Sequence, residues 1–238
     1  MTTAIILAAG VGKRVGSSIP KQFIEVLGRP ILAYTLECYQ KNSSIDAIEI
    51  VGHSDYLDEI HEIVSRYHID KTRWIVSGGD SFQESTMRGI YHLRDMLADD
   101  DIVVISFGVS PLTSDEVIDD SIRVAGLHGS GICSEDMVLC TCVKDDEHST
   151  TQAISRESIK GFASPWTFRY GEVYSAYRQA ESMGILNDIE PHTTSLYLAL
   201  GRRLWFSKSD GHNFKITTRE DLERFEGILL YRQRHGQT

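Results

Sequence analysis

The chain reads as an α/β protein: a mostly parallel sheet flanked by helices, with a β-arm projecting from it. Three observations predict this. Strand and helix signals alternate along most of the 238 residues. Two apolar runs, Ile5–Ala8 and Ile102–Phe107, are continuous, which marks buried central strands. The stretch from about 138 to 163 then breaks the alternation, being polar and β-prone around an acidic turn at 145–147. So polar a stretch would not make a core strand, and it reads as a hairpin arm.

Taken in order, Ile5–Ala8 is the first strand, residues 31–41 a helix and Ala47–Val51 the next strand. Leu57, Ile60 and Val64 fall at i, i+3, i+7 behind Ser54, so 55–67 is an amphipathic helix with Ser54 as its expected cap. Trp74–Val76 is a short strand, 82–97 a helix and Ile102–Phe107 a central strand behind an acidic turn. Thr113-x-x-Glu116 has the spacing of a capping box opening a helix through about 127. Thr218-x-x-Asp221 opens a last helix, on which Leu222, Phe225 and Leu229 share one face. No internal repeat, low-complexity segment or linker interrupts the chain, so residues 1–238 read as one domain carrying the arm.

Composition narrows the function. Hydrophobic content of 41% and charged content of 24% are ordinary for a globular chain. A net charge of −10 argues against a nucleic-acid surface but not against a nucleotide, which needs only a few local cations in a shaped cleft. No segment approaches the ~20 apolar residues of a membrane span, and a cytoplasmic setting is expected. Cys38, Cys133, Cys140 and Cys142 lack the spacing and the His partners of a zinc site, so they read as reduced thiols and no protein-held metal is expected.

The chemistry concentrates in three segments. The first strand breaks into Ala8-Ala9-Gly10-Val11-Gly12-Lys13-Arg14, followed by Pro20-Lys21-Gln22. Small residues let backbone N–H groups approach a polyphosphate, and Arg14 and Lys21 can neutralise the charge those amides cannot. The loop matches neither the dinucleotide fingerprint nor the P-loop. Ser77-Gly78-Gly79-Asp80-Ser81-Phe82-Gln83-Glu84-Ser85 follows a strand and opens a helix; its glycines allow close contact to a base or ribose, and Asp80 and Ser85 offer hydrogen bonds. The third segment is Asn213-Phe214-Lys215-Ile216-Thr217-Thr218-x-x-Asp221-Leu222.

Together these segments resemble the cytidylyltransferases of methylerythritol 4-phosphate and ribitol 5-phosphate, from residue 4 to about 222. The resemblance implies a Rossmann-like sheet of the nucleotide-diphospho-sugar transferase type, and CMP transfer from CTP to a polyol phosphate with release of pyrophosphate. It implies catalytic roles for Arg14, Lys21 and Lys215 around the phosphates. It also implies nucleotide contacts from Ala8, Ala9, Gly10, Gly12, Gly78, Gly79, Asp80 and Ser85, and acceptor contacts from Thr141 and Arg156 in the arm. Mg²⁺ held mainly by the nucleotide phosphates and an arm-exchanged homodimer follow from the same resemblance.

Several positions depart from the family pattern. Phe82 stands where the family has Arg, Phe107 where it has Asp, and Ser110 where it has Arg. His192-Thr193-Thr194 replaces an acidic pair, and Ala163-Ser164-Pro165-Trp166 replaces Gln-Thr-Pro-Gln. Phe107 reads as unable to coordinate a cation or accept a hydrogen bond, and His192 reads as an exposed lone histidine. Most positions on the nucleotide side are retained, while those on the metal and acceptor sides are mostly replaced. Two readings stay open: an active transferase with a remodelled acceptor pocket, or a nucleotide-binding pseudoenzyme with a regulatory role.

Overall fold

The computed structural model describes residues 1–10 and 19–236. The elements run β1 (Thr2–Ala8), β2 (Glu25–Val26), β3 (Arg29–Pro30), α1 (Ile31–Lys41), β4 (Ala47–Gly52), α2 (Leu57–Arg66), β5 (Thr72–Ser77), α3 (Phe82–His92) and β6 (Ile102–Phe107). Then follow α4 (Asp115–His128), β7 (Ser130–Asp136), β8 (Thr141–Val143), β9 (Gln152–Ile154), β10 (Lys160–Arg169), α5 (Tyr170–Met183), α6 (Thr193–Ala199), β11 (Phe206–Ser207) and α7 (Arg219–Arg234). The central sheet has seven strands in the order β11-β7-β10-β6-β1-β4-β5. β1 pairs in parallel with both β4 and β6, β4 with β5, and β11 with β7. β10 alone runs against its neighbours, β6 and β7.

Successive side chains of β1 feed two separate cores, which explains its unbroken apolar run. Ile5 and Leu7 pack on one face with Ile90 of α3, Tyr177 of α5, Leu196 of α6 and Phe225 of α7. Ala4, Ile6 and Ala8 pack on the other with Leu32, Leu36 and Tyr39 of α1, Ile60 of α2 and Ile118 of α4. With both faces covered, neither parity can be polar. Burial of a side chain such as Ile5 or Ile6 contributes about 1.5–3 kcal/mol.

Several helix ends differ from the sequence expectation. Ser54 is not the cap of α2: residues Ser54–Tyr56 form a 3₁₀ turn in which the amide of Asp55 donates to the imidazole Nδ1 of His53 at 3.2 Å. The α4 cap is Ser114, whose hydroxyl accepts from Val117 N at 3.4 Å. Thr113 is unavailable because its hydroxyl is buried against Ser110 O and Asn213 Oδ1, both at 3.2 Å. α4 stops at Gly129, which has φ +89°; a Cβ there would also lie 2.4 Å from the Glu172 carboxylate. α3 ends at His92, with a 3₁₀ turn over Leu93–Asp95 in place of its last expected turn. By contrast Thr218 and Asp221 do form the capping box of α7.

The polar stretch contains an exposed antiparallel hairpin, β8 with β9, in which Thr141 faces Ile154 and Val143 faces Gln152. Its turn is held locally, Asp145 accepting from Thr151 N at 2.7 Å and Asp146 from His148 N at 2.7 Å. No helix among the described residues is long and apolar enough to cross a membrane.

Candidate active site

From β1 the chain passes to β4 and β5 on one side, and to β6 on the other. The crevice at the carboxyl ends of these strands is where open α/β sheets bind ligands. A cavity of about 460 Å³ lies there. Its lining includes Ala8, Ala9 and Gly10 from the end of β1 and Gly79, Asp80, Ser81 and Ser85 from the Gly-Gly segment. Lys21, Lys215 and Thr217 close one side, and Phe82, Phe107 and Val109 form an apolar wall.

Each motif has a mechanical reason to converge here. Gln22 is buried and donates from Nε2 to Ala8 O at 2.7 Å, which ties the Pro-Lys-Gln turn to the end of β1. Lys21 Nζ donates to Ile216 O at 3.0 Å, joining two motifs 195 residues apart. The third motif is mostly a brace for its lysine. Asn213 donates to Ser164 O at 2.5 Å and accepts from Thr113 at 3.2 Å. Ile216 is fully buried, and its amide bonds Val109 O at 2.9 Å. Asp221 accepts from the amides of Thr217 and Thr218, at 2.7 and 2.9 Å. Lys215 is thus carried on a segment fixed at both ends.

The Gly-Gly loop is shaped from within. A Cβ on Gly78 would lie 2.7 Å from Ala9 Cβ and 2.7 Å from Ser85 Oγ, so Gly78 lets two loops touch and does not itself line the cavity. Ser85 accepts from Gly79 N at 3.0 Å and donates to Ser81 O at 2.9 Å; its hydroxyl holds the loop's form. Ser81 caps α3 through Glu84 N at 3.0 Å. Asp80 is exposed at the rim.

Of the sequence-predicted residues, the cleft gathers Ala8, Ala9, Gly10, Lys21, Gly79, Asp80, Ser85 and Lys215. Gly12 and Arg14 lie outside the described residues. Thr141 and Arg156 do not line this cavity: Thr141 Oγ1 donates to Ile154 O at 2.9 Å and Arg156 Nη1 to Val138 O at 3.2 Å, both within the arm region. His53 also lines the cleft, unsuspected from sequence. Its position directly after Gly52, at the carboxyl end of a parallel strand, was the available signal.

One departure has a contact the sequence did not suggest, and one expectation needs correction. Phe107 meets the ammonium of Lys215, whose Nζ sits 3.6 Å from its ring centroid. An aromatic face carries negative electrostatic potential, so no carboxylate is needed for this contact. His192 is not an isolated exposed residue: its ring lies 5.6 Å from Phe82 and 5.5 Å from Trp166. Phe107 in turn lies 5.6 Å from Phe82 and 5.2 Å from Trp166. Four positions scattered through the sequence are therefore one aromatic cluster. Ser110 and Ser164 are likewise neighbours, buried and 3.1 Å apart through their hydroxyls. Burial lowers the His192 pKa; Glu190 opposes the shift and Lys215 adds to it.

Carboxylates are scarce in the cleft. Asp80 is the single acid among its described lining residues, and no group of three or more His, Cys, Asp or Glu suited to a cation occurs among the described residues. This donor set does not fit a protein-chelated Mg²⁺, which takes several oxygen ligands.

The family model for 2-C-methyl-D-erythritol 4-phosphate cytidylyltransferase (IspD) matches residues 2–231. The chain is 34% identical over 229 residues to a ribitol-5-phosphate cytidylyltransferase of Lacticaseibacillus paracasei, covering 96% of this chain and 98% of that one. It is 33% identical over 229 residues to a 2-C-methyl-D-erythritol 4-phosphate cytidylyltransferase of Clostridium novyi, covering 95% of each. Among solved structures it is similar to the 4-diphosphocytidyl-2C-methyl-D-erythritol synthase of Anaerococcus prevotii, with a TM-score of 0.80 and 25% identity over 97% of this chain and 96% of that one.

Proposed function

The chain belongs to the 2-C-methyl-D-erythritol 4-phosphate cytidylyltransferase (IspD) family, and from that premise we propose that it transfers CMP from CTP to a polyol phosphate of the methylerythritol 4-phosphate or ribitol 5-phosphate type. A phosphate oxygen of the acceptor attacks the α-phosphorus of CTP. The bond from that phosphorus to the bridging oxygen breaks, and pyrophosphate leaves with the electron pair. Lys21 and Lys215, with Arg14 from the segment outside the described residues, stabilise the charge on the five-coordinate centre. The small side chains of Ala8, Ala9 and Gly10 leave room for the phosphates, and the Gly79–Asp80 rim takes the nucleoside.

The observation that carries this reading is the Lys21–Ile216 hydrogen bond. It seats two distant lysine motifs in one cleft beside the Ala-Ala-Gly loop. In the same proposal Mg²⁺ arrives on the triphosphate, since the lining acids do not provide a protein site. Thr141 and Arg156 serve the acceptor from the arm of a second copy. Their separation from their own chain's cavity supports that arrangement. The protein would work in the cytoplasm, where CTP is available.

The test is pyrophosphate release from CTP with each acceptor, beside calorimetric titration of CTP against UTP, ATP and GTP with and without Mg²⁺. CTP-selective binding and acceptor-dependent pyrophosphate are expected. Absence of nucleotide binding would sink the proposal. Light scattering tests the dimer, and a monomer that turns over would remove the second copy from the site.

A further inference from the structure

Phe107 ends β6 with its ring almost wholly buried in the cleft wall. Lys215 reaches it from the braced segment before α7, and its ammonium stands 3.6 Å from the ring centroid and 5.8 Å from that of Phe82. The first distance puts the nitrogen in contact with the ring carbons, where the attraction of a cation to an aromatic face is strongest. Neither ring is free to turn away. Phe107 packs edge-on against Trp166 at 5.2 Å with an interplanar angle of 85°, and Phe82 lies against His192 at 5.6 Å and 60°. Trp166 is itself buried in β10 and His192 precedes α6, so four segments fix the rings.

We propose that Phe107, with Phe82 as a second wall, is a positioning residue that seats the Lys215 ammonium by cation–π attraction and aims it at the anionic ligand of the cleft. A lysine has four rotatable bonds and forfeits rotamer freedom when its head is fixed. A carboxylate could fix it too, but would set a negative charge beside a polyphosphate. A ring holds the ammonium with a quadrupole, adding no formal charge where phosphates must approach. This inference rests on the proposed nucleotide chemistry for its ligand, but not for the contact between the two side chains.

Two measurements test it. In the unliganded protein, the ε-methylene protons of Lys215 should be shifted upfield by the ring current of Phe107. That shift should vanish in Phe107→Leu; normal resonances in the wild type would refute the seat whatever the enzyme does. Replacement of Phe107 by 4-fluoro-, 3,5-difluoro- and 3,4,5-trifluorophenylalanine then drains the ring face with little change of shape. CTP affinity by calorimetry should fall stepwise, by about tenfold over the series, at unchanged melting temperature. The series should be flat in a Lys215→Met background. A flat series in the wild type, or an equal slope in that background, would make the ring mere packing. If CTP does not bind at all, the proposed function fails, and the resonance shift alone decides the seat.

Discussion

Glu49 supplies a prediction whose size follows from the structure. It lies on β4 between Ile5 of β1 and Trp74 of β5, with no exposed surface. One carboxylate oxygen is 2.6 Å from His92 Nδ1, while the other, Oε2, is buried with no hydrogen-bond partner among the described residues. Burial pushes the carboxyl from 4.5 up to about 7, against the opposing pull of the His92 hydrogen bond and charge. His92 is raised by its hydrogen bond to Glu49, against the effect of its own burial. Both shifts have the same sign. A group that holds its proton more tightly when folded contributes stability that is complete below its unfolded pKa and is lost as pH rises through the folded one. For Glu49 that window runs from 4.5 to about 7. At about 1.4 kcal/mol per pH unit, the loss is about 3 kcal/mol.

Glu49→Gln keeps the shape, still accepts from His92 and removes the titration. Urea unfolding of both proteins between about pH 5 and pH 8.5 checks the reasoning. The stability of the wild type relative to the Glu49→Gln variant should fall by about 3 kcal/mol over that range. A difference that stays constant with pH would refute it, because it would mean that Glu49 takes up no extra proton on folding.

Three further outcomes are expected. Gly78→Ala should press its methyl on Ala9 and Ser85, both 2.7 Å away, costing about 1–3 kcal/mol in thermal or urea unfolding and weakening CTP binding by calorimetry. Asn213→Ala leaves the buried Ser164 carbonyl without its donor and the Thr113 hydroxyl with Ser110 O alone, so unfolding should be easier by about 1–3 kcal/mol. Lys215→Met should lower kcat/KM for CTP by about 10²–10³-fold in a pyrophosphate assay while the melting temperature changes little, and Lys21→Met should lower kcat/KM as much but also ease unfolding, because Ile216 O loses its donor.

The sequence by itself determined the α/β class, because continuous apolar runs at Ile5–Ala8 and Ile102–Phe107 suit only strands covered on both faces. It determined the capping box at Thr218 and Asp221, since both partners lie within one turn. It also marked Lys21 and the Gly79–Asp80 loop as candidates, because small residues and a nearby cation suit a nucleotide, and Lys215 through its motif's resemblance to the cytidylyltransferases. Such signals are local and survive without coordinates.

Only the tertiary structure decided what depended on neighbours distant in sequence. Thr113 lost its capping role to Ser114 because Asn213, 100 residues away, takes part of its hydroxyl's bonding. Gly78 reads as a ligand contact until Ala9 is seen 2.7 Å from where its Cβ would be. Glu49 looks like any charged strand residue until His92 and the sheet enclose it. Above all, Phe82, Phe107, Trp166 and His192 are separate substitutions along the chain, yet the crossing of β6, β10, α3 and the α6 entry makes them one cluster around Lys215. Contacts of this kind are set by the order of strands in the sheet, which long-range packing chooses and local spacing does not record.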